Sequence, residues 1–225
     1  MAIMEALDAF AAETERLAAE MLTVGDGEWG RASPCPPWTA AELFGHVVVG
    51  VGRVTGMLDA PAPPRAEIDA AGYFRADERF SSGTNAERID LGQARAAELG
   101  GRGLAAELVR VRAGAVDRCR REAPGWVVRT RHGDAMTLED FLVTRVLEAG
   151  IHGLDLAAAL GREPWLTPPA ADLLTGLYLA GTGARLADLG WDALTFLRLA
   201  TGREPLDDAR RAQLARHGVR RLKLG

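Results

Sequence analysis

Residues 141–161 read FLVTRVLEAGIHGLDLAAALG, and their apolar positions recur with the period of an α-helix. Thr137 supplies a cap at the start with Asp140 in the first turn, and Gly161 followed by Pro164 supplies the stop. On the helical wheel Arg145, Glu148, His152 and Asp155 are spaced by three, four and three residues, so they fall within roughly 80° of arc. Leu138 and Phe141 continue the same sector toward the helix start. A polar line thus runs down a helix otherwise built of Leu, Ile, Val and Ala. Burying four ionisable groups without partners would cost several kcal/mol each, so they must pair with one another or bind something.

A carboxylate and an imidazole at i and i+4, such as Glu148 and His152, can grip one metal ion together. His46, on another expected helix, would complete a two-histidine, one-carboxylate set that leaves a position open on a divalent ion such as zinc. Bland readings stand beside this one. Glu and His at this spacing is a common surface pairing, and a lone histidine on an apolar helix is ordinarily a hydrogen-bonded core residue.

Working outward, helices dominate. Ile3, Leu7, Phe10, Ala11, Leu17 and Met21 form the apolar stripe of a first helix of roughly 20 residues. Pro34, Pro36 and Pro37 exclude helix through SPCPPW, and Thr39 with Glu42 makes a capping box that opens a second helix to about Leu58. A long loop from Ala60 to Gly83 is expected to cover or approach a site. A third helical region spans residues 86–121, interrupted at Gly100, Gly101 and Gly103. Trp126 to Thr130 reads as a short extended segment before the fourth helix. Four long helices argue for a bundle over residues 1–163. Residues 164–225 read as a small helical extension packed on it, with helices over 170–189, 192–200 and 207–217.

Composition excludes several classes. With 225 residues, 48% of them hydrophobic and 26% charged, the chain is an ordinary globular protein able to bury a core. A net charge of −4 gives no reason to expect nucleic acid as a partner. The basic stretches Arg110 to Arg121 and Arg210 to Lys223 alternate with acidic and apolar residues and read as solvated helix faces. The start, MAIMEALDAFAAETE, is not a signal peptide, and the HVVVGVGRV run is broken by Arg53, so no membrane span is expected. Cys35 and Cys119 form no metal or disulfide framework, which points to a cytoplasmic protein. Heavy use of Ala, Arg, Gly and Leu suggests a GC-rich genome.

Two stretches together, SPCPPWTAAELFGHVV (33–48) and TRVLEAGIHGLDLAAALGREP (144–164), resemble the mycothiol-dependent maleylpyruvate isomerase family, an actinobacterial branch of the DinB-like four-helix bundles. The resemblance rests on Cys-Pro-x-Trp-Thr, the helix-borne histidine, Arg-x-x-Glu-x-x-x-His-x-x-Asp-Leu and the late LATGR (199–203). It implies a mostly α, DinB-like four-helix bundle in which His46, Glu148 and His152 hold a divalent metal, zinc first among the candidates. It also implies mycothiol as a thiol cosubstrate. Arg203 would clamp a substrate carboxylate, or else contact the last carbonyls of a helix. Asp155 would orient a ligating imidazole or tie helices together, and Arg145 would pair with Glu148 or another acid, or else hold an anionic substrate. Cys35 is read as a packing residue ahead of a thiolate ligand, His132 as an exposed turn residue ahead of one lining the cavity mouth, and Trp29 and Trp38 as packing the proline loop onto the bundle.

The leading expectation is a metal-dependent S-transferase or isomerase acting on a small electrophilic molecule through a thiolate. Two alternatives stay open: a thiol-independent hydrolase or natural-product tailoring enzyme, and a non-catalytic metal- or ligand-binding bundle. The substrate and the oligomeric state are not legible.

Overall fold

A computed structural model describes residues 3–219 and Leu222. The start of the chain before Ile3 and the end of the basic stretch at residues 220, 221 and 223 lie outside the described residues. Four long helices form the bundle: α1 (Ile3–Met21), α2 (Ala40–Asp59), α4 (Ser82–Cys119) and α5 (Leu138–Leu160). Helix α2 packs on α4, α4 on α1, α1 on α5 and α5 on α2, which closes the ring around a shared core. The fold is mostly helical, as the sequence leads one to expect.

Helix α2 opens with the capping box. The Thr39 Oγ1 accepts from Glu42 N at 3.4 Å, and Thr39 N donates back to the Glu42 carboxylate at 2.7 Å. It is the described helix long and apolar enough to cross a membrane by length and composition, and half of that window is buried. Its contact with α4 is close. A Cβ built on Gly45 would lie 2.6 Å from the Gly92 carbonyl oxygen, and one on Gly92 would lie 2.9 Å from the Glu42 carbonyl oxygen. Only glycine at both places allows this approach.

Helix α4 starts earlier than its apolar pattern indicates, because Ser81 caps it through Thr84 N at 3.2 Å. The interruption falls at Gly100, whose φ of 61° breaks the helical run. Trp29 lies across the next residue: a Cβ on Gly101 would sit 2.0 Å from the indole. Trp29 also stacks on Phe44, with centroids 5.8 Å apart.

The extended segment after α4 is β1 (Val127–Arg129), and it has a partner that the pattern did not reveal. It pairs antiparallel with β2 (Ala135–Thr137), with Val128 opposite Met136. Strand β2 runs straight into α5, since Thr137 is both its last residue and the N-cap of the helix, accepting from Asp140 N at 3.1 Å. Helix α5 is buried nearly all round, which makes it the central element, and it ends at Gly161 in the left-handed conformation (φ 66°).

The loop after α2 is less irregular than expected. It carries a short helix, α3 (Ala70–Tyr73), and a 3₁₀ turn (Glu78–Phe80). Glu67 and Ile68 donate their backbone N–H groups to Ala135 O at 2.8 and 3.2 Å, which lays the loop along the hairpin edge. Past α5, the single helix expected over residues 170–189 is two, α6 (Pro168–Leu179) and α7 (Leu186–Leu189). Gly181 and Gly183 lie between them at φ 74° and 71°, so the chain turns where the apolar pattern alone continues. Helices α8 (Ala193–Ala200) and α9 (Asp208–Arg216) follow. Helix α6 packs on α1, α5 and α8.

Candidate metal centre

His46 projects from α2 toward Glu148 and His152 on α5. The His46 Nε2 lies 3.2 Å from Glu148 Oε2, and the His152 Nε2 lies 3.5 Å from the same oxygen. The ligating atoms of all three residues fall within 4.8 Å of one another. One carboxylate therefore sits between two imidazoles. Glu148 Oε1 makes no hydrogen bond among the described residues, so a lone-pair face of the carboxylate stays available.

The other face of His152 is differently used. Its Nδ1 donates to Asp155 Oδ2 at 3.0 Å, which leaves Nε2 for the side shared with His46. Asp155 also accepts from Cys35 Sγ at 3.2 Å and from Arg203 Nε and Nη2 at 3.1 and 2.9 Å. Four donors saturate its two oxygens. Cys35, His152 and Asp155 also lie close enough to hold an ion together, yet this second grouping is already satisfied by hydrogen bonds. The donor chemistry thus suits a divalent ion at His46, Glu148 and His152, a set of two neutral-capable nitrogens and one carboxylate.

Electrostatics follow the same division. Burial pushes the His46 imidazole down to about 4, in spite of Glu148, so the ring is neutral at pH 7, with one nitrogen free of a proton and able to bind. Burial alone would raise Glu148, but hydrogen bonds from His152 and His46, with the Arg145 charge nearby, hold it well below the usual carboxylate range. Burial opposes the charge of His152 as well; its contacts with Asp155, Cys35 and Glu148 outweigh that and raise it.

Arginines surround the centre. Arg53, Arg79, Arg88, Arg131 and Arg145 line the chamber beside His46, Glu148 and His152, roofed by Tyr73, Phe74 and Phe80 from the loop. Arg79 is neutralised by Asp77 and Asp134. Arg145 does not form the expected ion pair among the described residues. Its guanidinium lies over the rings of Phe141 and Tyr73, 5.0 and 5.6 Å from their centroids, and Nε donates to Thr144 Oγ1 at 3.1 Å. It acts on Glu148 only through space. Arg53 and Arg131 have no carboxylate partner among the described residues, and burial with Arg131 and Arg145 nearby brings Arg53 down to about 10.

Two cavities meet here. The chamber itself has about 30 Å³ free, room for an ion or a water. Across Trp38 and Arg88 lies a groove of about 720 Å³ whose wall includes Cys35, Asp155, Arg162, Arg198 and Arg203. That is the size of an ordinary small-molecule site.

Of the residues singled out in the sequence, His46, Glu148, His152, Asp155 and Arg203 converge. Arg203 joins through Asp155, while its Nη1 also donates to Thr201 O at 3.1 Å, the helix-end contact. Cys35 is more than packing, since its thiol touches Asp155. His132 lies in the turn but is half-buried, and of its two readings the cavity-lining one fits: it lines the chamber edge-on to Tyr73, 5.7 Å between centroids. The arginine cluster went unread. Its one signal was on α2, where His46, Gly50 and Arg53 follow spacings of four and three along a single face.

Helical bundle and partly buried two-histidine, one-carboxylate cluster define a class: a bundle of four long helices with a candidate metal centre between two of them. Residues 10–157 match the family model for the mycothiol maleylpyruvate isomerase N-terminal domain, and the chain belongs to that family. The fold is shared with the crystal structure of the mycothiol-dependent maleylpyruvate isomerase, at TM-score 0.52 and 17% identity over 82% of this chain and 74% of that one. A histidine-to-alanine mutant of that isomerase aligns at TM-score 0.55 and 17% identity, covering 80% of this chain and 70% of the other. No curated protein matches the chain.

Proposed function

We propose that this protein is a zinc-dependent, mycothiol-using S-transferase or isomerase that acts on a small anionic electrophile. The observation that carries this reading is the placement of Glu148 Oε2 within 3.2 and 3.5 Å of two imidazoles, with Oε1 left open. Family membership supports the thiol, and the donor set supports the metal.

A divalent ion at His46, Glu148 and His152 would supply the positive charge that keeps a thiol in its thiolate form at neutral pH. Asp155, held by Arg203, fixes the tautomer of His152 by accepting a hydrogen bond from Nδ1–H. Arg53, Arg131 and Arg145 provide unpaired guanidinium charge for carboxylates of the electrophile. Tyr73, Phe74 and Phe80 cover the chamber and keep bulk water from the reacting carbon. The groove beyond Trp38 offers the volume for the body of the thiol. Arg203 is then a residue acting through Asp155, not a clamp on substrate. We read residues 164–225 as the extension that delivers it.

A non-catalytic metal-binding bundle is favoured by one observation, the small free volume of the chamber. Zinc-loaded protein titrated with mycothiol separates the readings. Calorimetric heat and a rate that depends on mycothiol with an electrophilic dicarboxylate are expected. Turnover without any thiol indicates the hydrolytic alternative, and no response of either kind leaves a binding protein.

A further inference from the structure

The two histidines of the centre are held in different ways. His152 is anchored through its second nitrogen by Asp155, and Asp155 in turn by Arg203. His46 makes a single hydrogen bond among the described residues, from Nε2 to Glu148. A ligating imidazole ordinarily needs a second contact to fix its ring, since rotation about the Cβ–Cγ bond carries the donor nitrogen away from the ion.

What holds His46 is a ring. Trp38 stacks on it with centroids 4.9 Å apart and planes 23° from parallel, and meets His152 edge-on at 6.5 Å and 88°. Trp38 is itself fixed at several points. Its indole Nε1 donates to Ile89 O on α4 at 3.4 Å, its backbone N donates to Cys35 O at 3.1 Å, and its carbonyl accepts from Ser33 N and Oγ at 3.0 and 2.8 Å. Only 8% of the residue is exposed. The Cβ of His46 is set close against α4, since a Cβ built on Gly92 would lie 3.3 Å from it.

We infer that Trp38 is a positioning residue for the candidate metal centre: its indole face sets the ring plane of His46, doing by stacking what Asp155 does for His152 by hydrogen bonding. The inference rests on the metal reading above and adds to it the residue that orients the α2 ligand. An offset-stacked pair of this kind restricts tilt strongly while leaving the acceptor nitrogen free.

The test compares Trp38→Leu, Trp38→Phe and Trp29→Leu with the wild type. Zinc affinity is measured by chelator competition, and the visible spectrum of the cobalt-substituted protein reports ligand geometry. Trp29 serves as the packing control, since it stacks on Phe44 away from the centre. Trp38→Leu is expected to weaken zinc about 10-fold or more and to alter the cobalt bands, Trp38→Phe to restore most of the affinity, and Trp29→Leu to lower the melting temperature with zinc affinity unchanged. Equal zinc affinity and cobalt spectra for Trp38→Leu and wild type overturn the inference, as does an equal loss of affinity in Trp29→Leu. A wild type that binds no zinc overturns the metal reading together with it.

Discussion

Two glutamates at the central helix α5, one fully buried against it from α1 and one partly buried on it, behave in opposite ways. Glu13, on α1, is fully buried beside Gly150, and Glu148, on α5, sits two residues from that glycine in sequence. Burial raises Glu13 above the ordinary glutamate value, whereas Glu148 is carried well below it. The difference lies in the neighbours. Glu13 has neutral donors, Thr167 N and Oγ1 at 2.9 and 2.7 Å, and its Oε1 has no partner. Glu148 has two imidazoles and a cluster of guanidinium groups. Depth alone does not mark a functional acid; the charges around it do. Glu13 serves architecture, tying the N-cap of α6 to α1, and Glu148 serves the centre.

That contrast can be broken by experiment. The largest effect is expected from His152→Ala, which removes a donor from both Glu148 and Asp155. Zinc should no longer remain bound through dialysis, and stability should fall by about 3 kcal/mol because buried charges lose a partner. Elemental analysis and urea unfolding check both parts, and stoichiometric zinc in the variant would mean the ligands are assigned wrongly. Next comes Glu13→Ala. It leaves the Thr167 N–H and hydroxyl unsatisfied and should cost about 2 kcal/mol in urea unfolding, while zinc affinity of the folded protein stays at the wild-type value. If zinc is released as well, the two glutamates are not separate in role.

The smallest effect sharpens the comparison by its sign. Because the folded state holds the Glu13 proton more tightly than the unfolded chain, the stability linked to it is whole below pH 4.5 and is lost as pH rises through the raised value. Glu13→Gln has no proton to lose. Its melting temperature should gain on the wild type as pH rises from 4 to 8, and a constant offset across that range would show that Glu13 holds its proton no more tightly in the fold than in the unfolded chain.

The sequence made all four long helices legible by their apolar period, and the ends of α2 and α5 sharpest because those two carry their own punctuation: the Thr39 box, the Thr137 cap, Gly161. It also made the Glu148–His152–Asp155 line legible, since spacing on one helix is local information. What failed was local in another way. Apolar residues on both sides of Gly181 and Gly183 kept the helical period, so the break was hidden. Beyond single elements, periodicity has no reach. Arg53 reads as an interruption of an apolar run, and nothing in the pattern singles out Arg79, Arg88 and Arg131, because their convergence depends on a loop and a hairpin folding over α2 and α5. The partner of Arg145 was misjudged for the same reason: Tyr73 comes from the loop.

The abutting glycines at 45 and 92 have a bearing on how this scaffold can vary. With backbone against backbone at that crossing, the rear wall of the centre has no side chain to shorten and no gap to fill, and the histidine one residue later is fixed in depth. New substrates cannot be accommodated by spreading these two helices. Divergence in what the protein accepts must therefore be written in the covering segment between residues 60 and 81 and in the hairpin, where side chains can be exchanged without disturbing the frame.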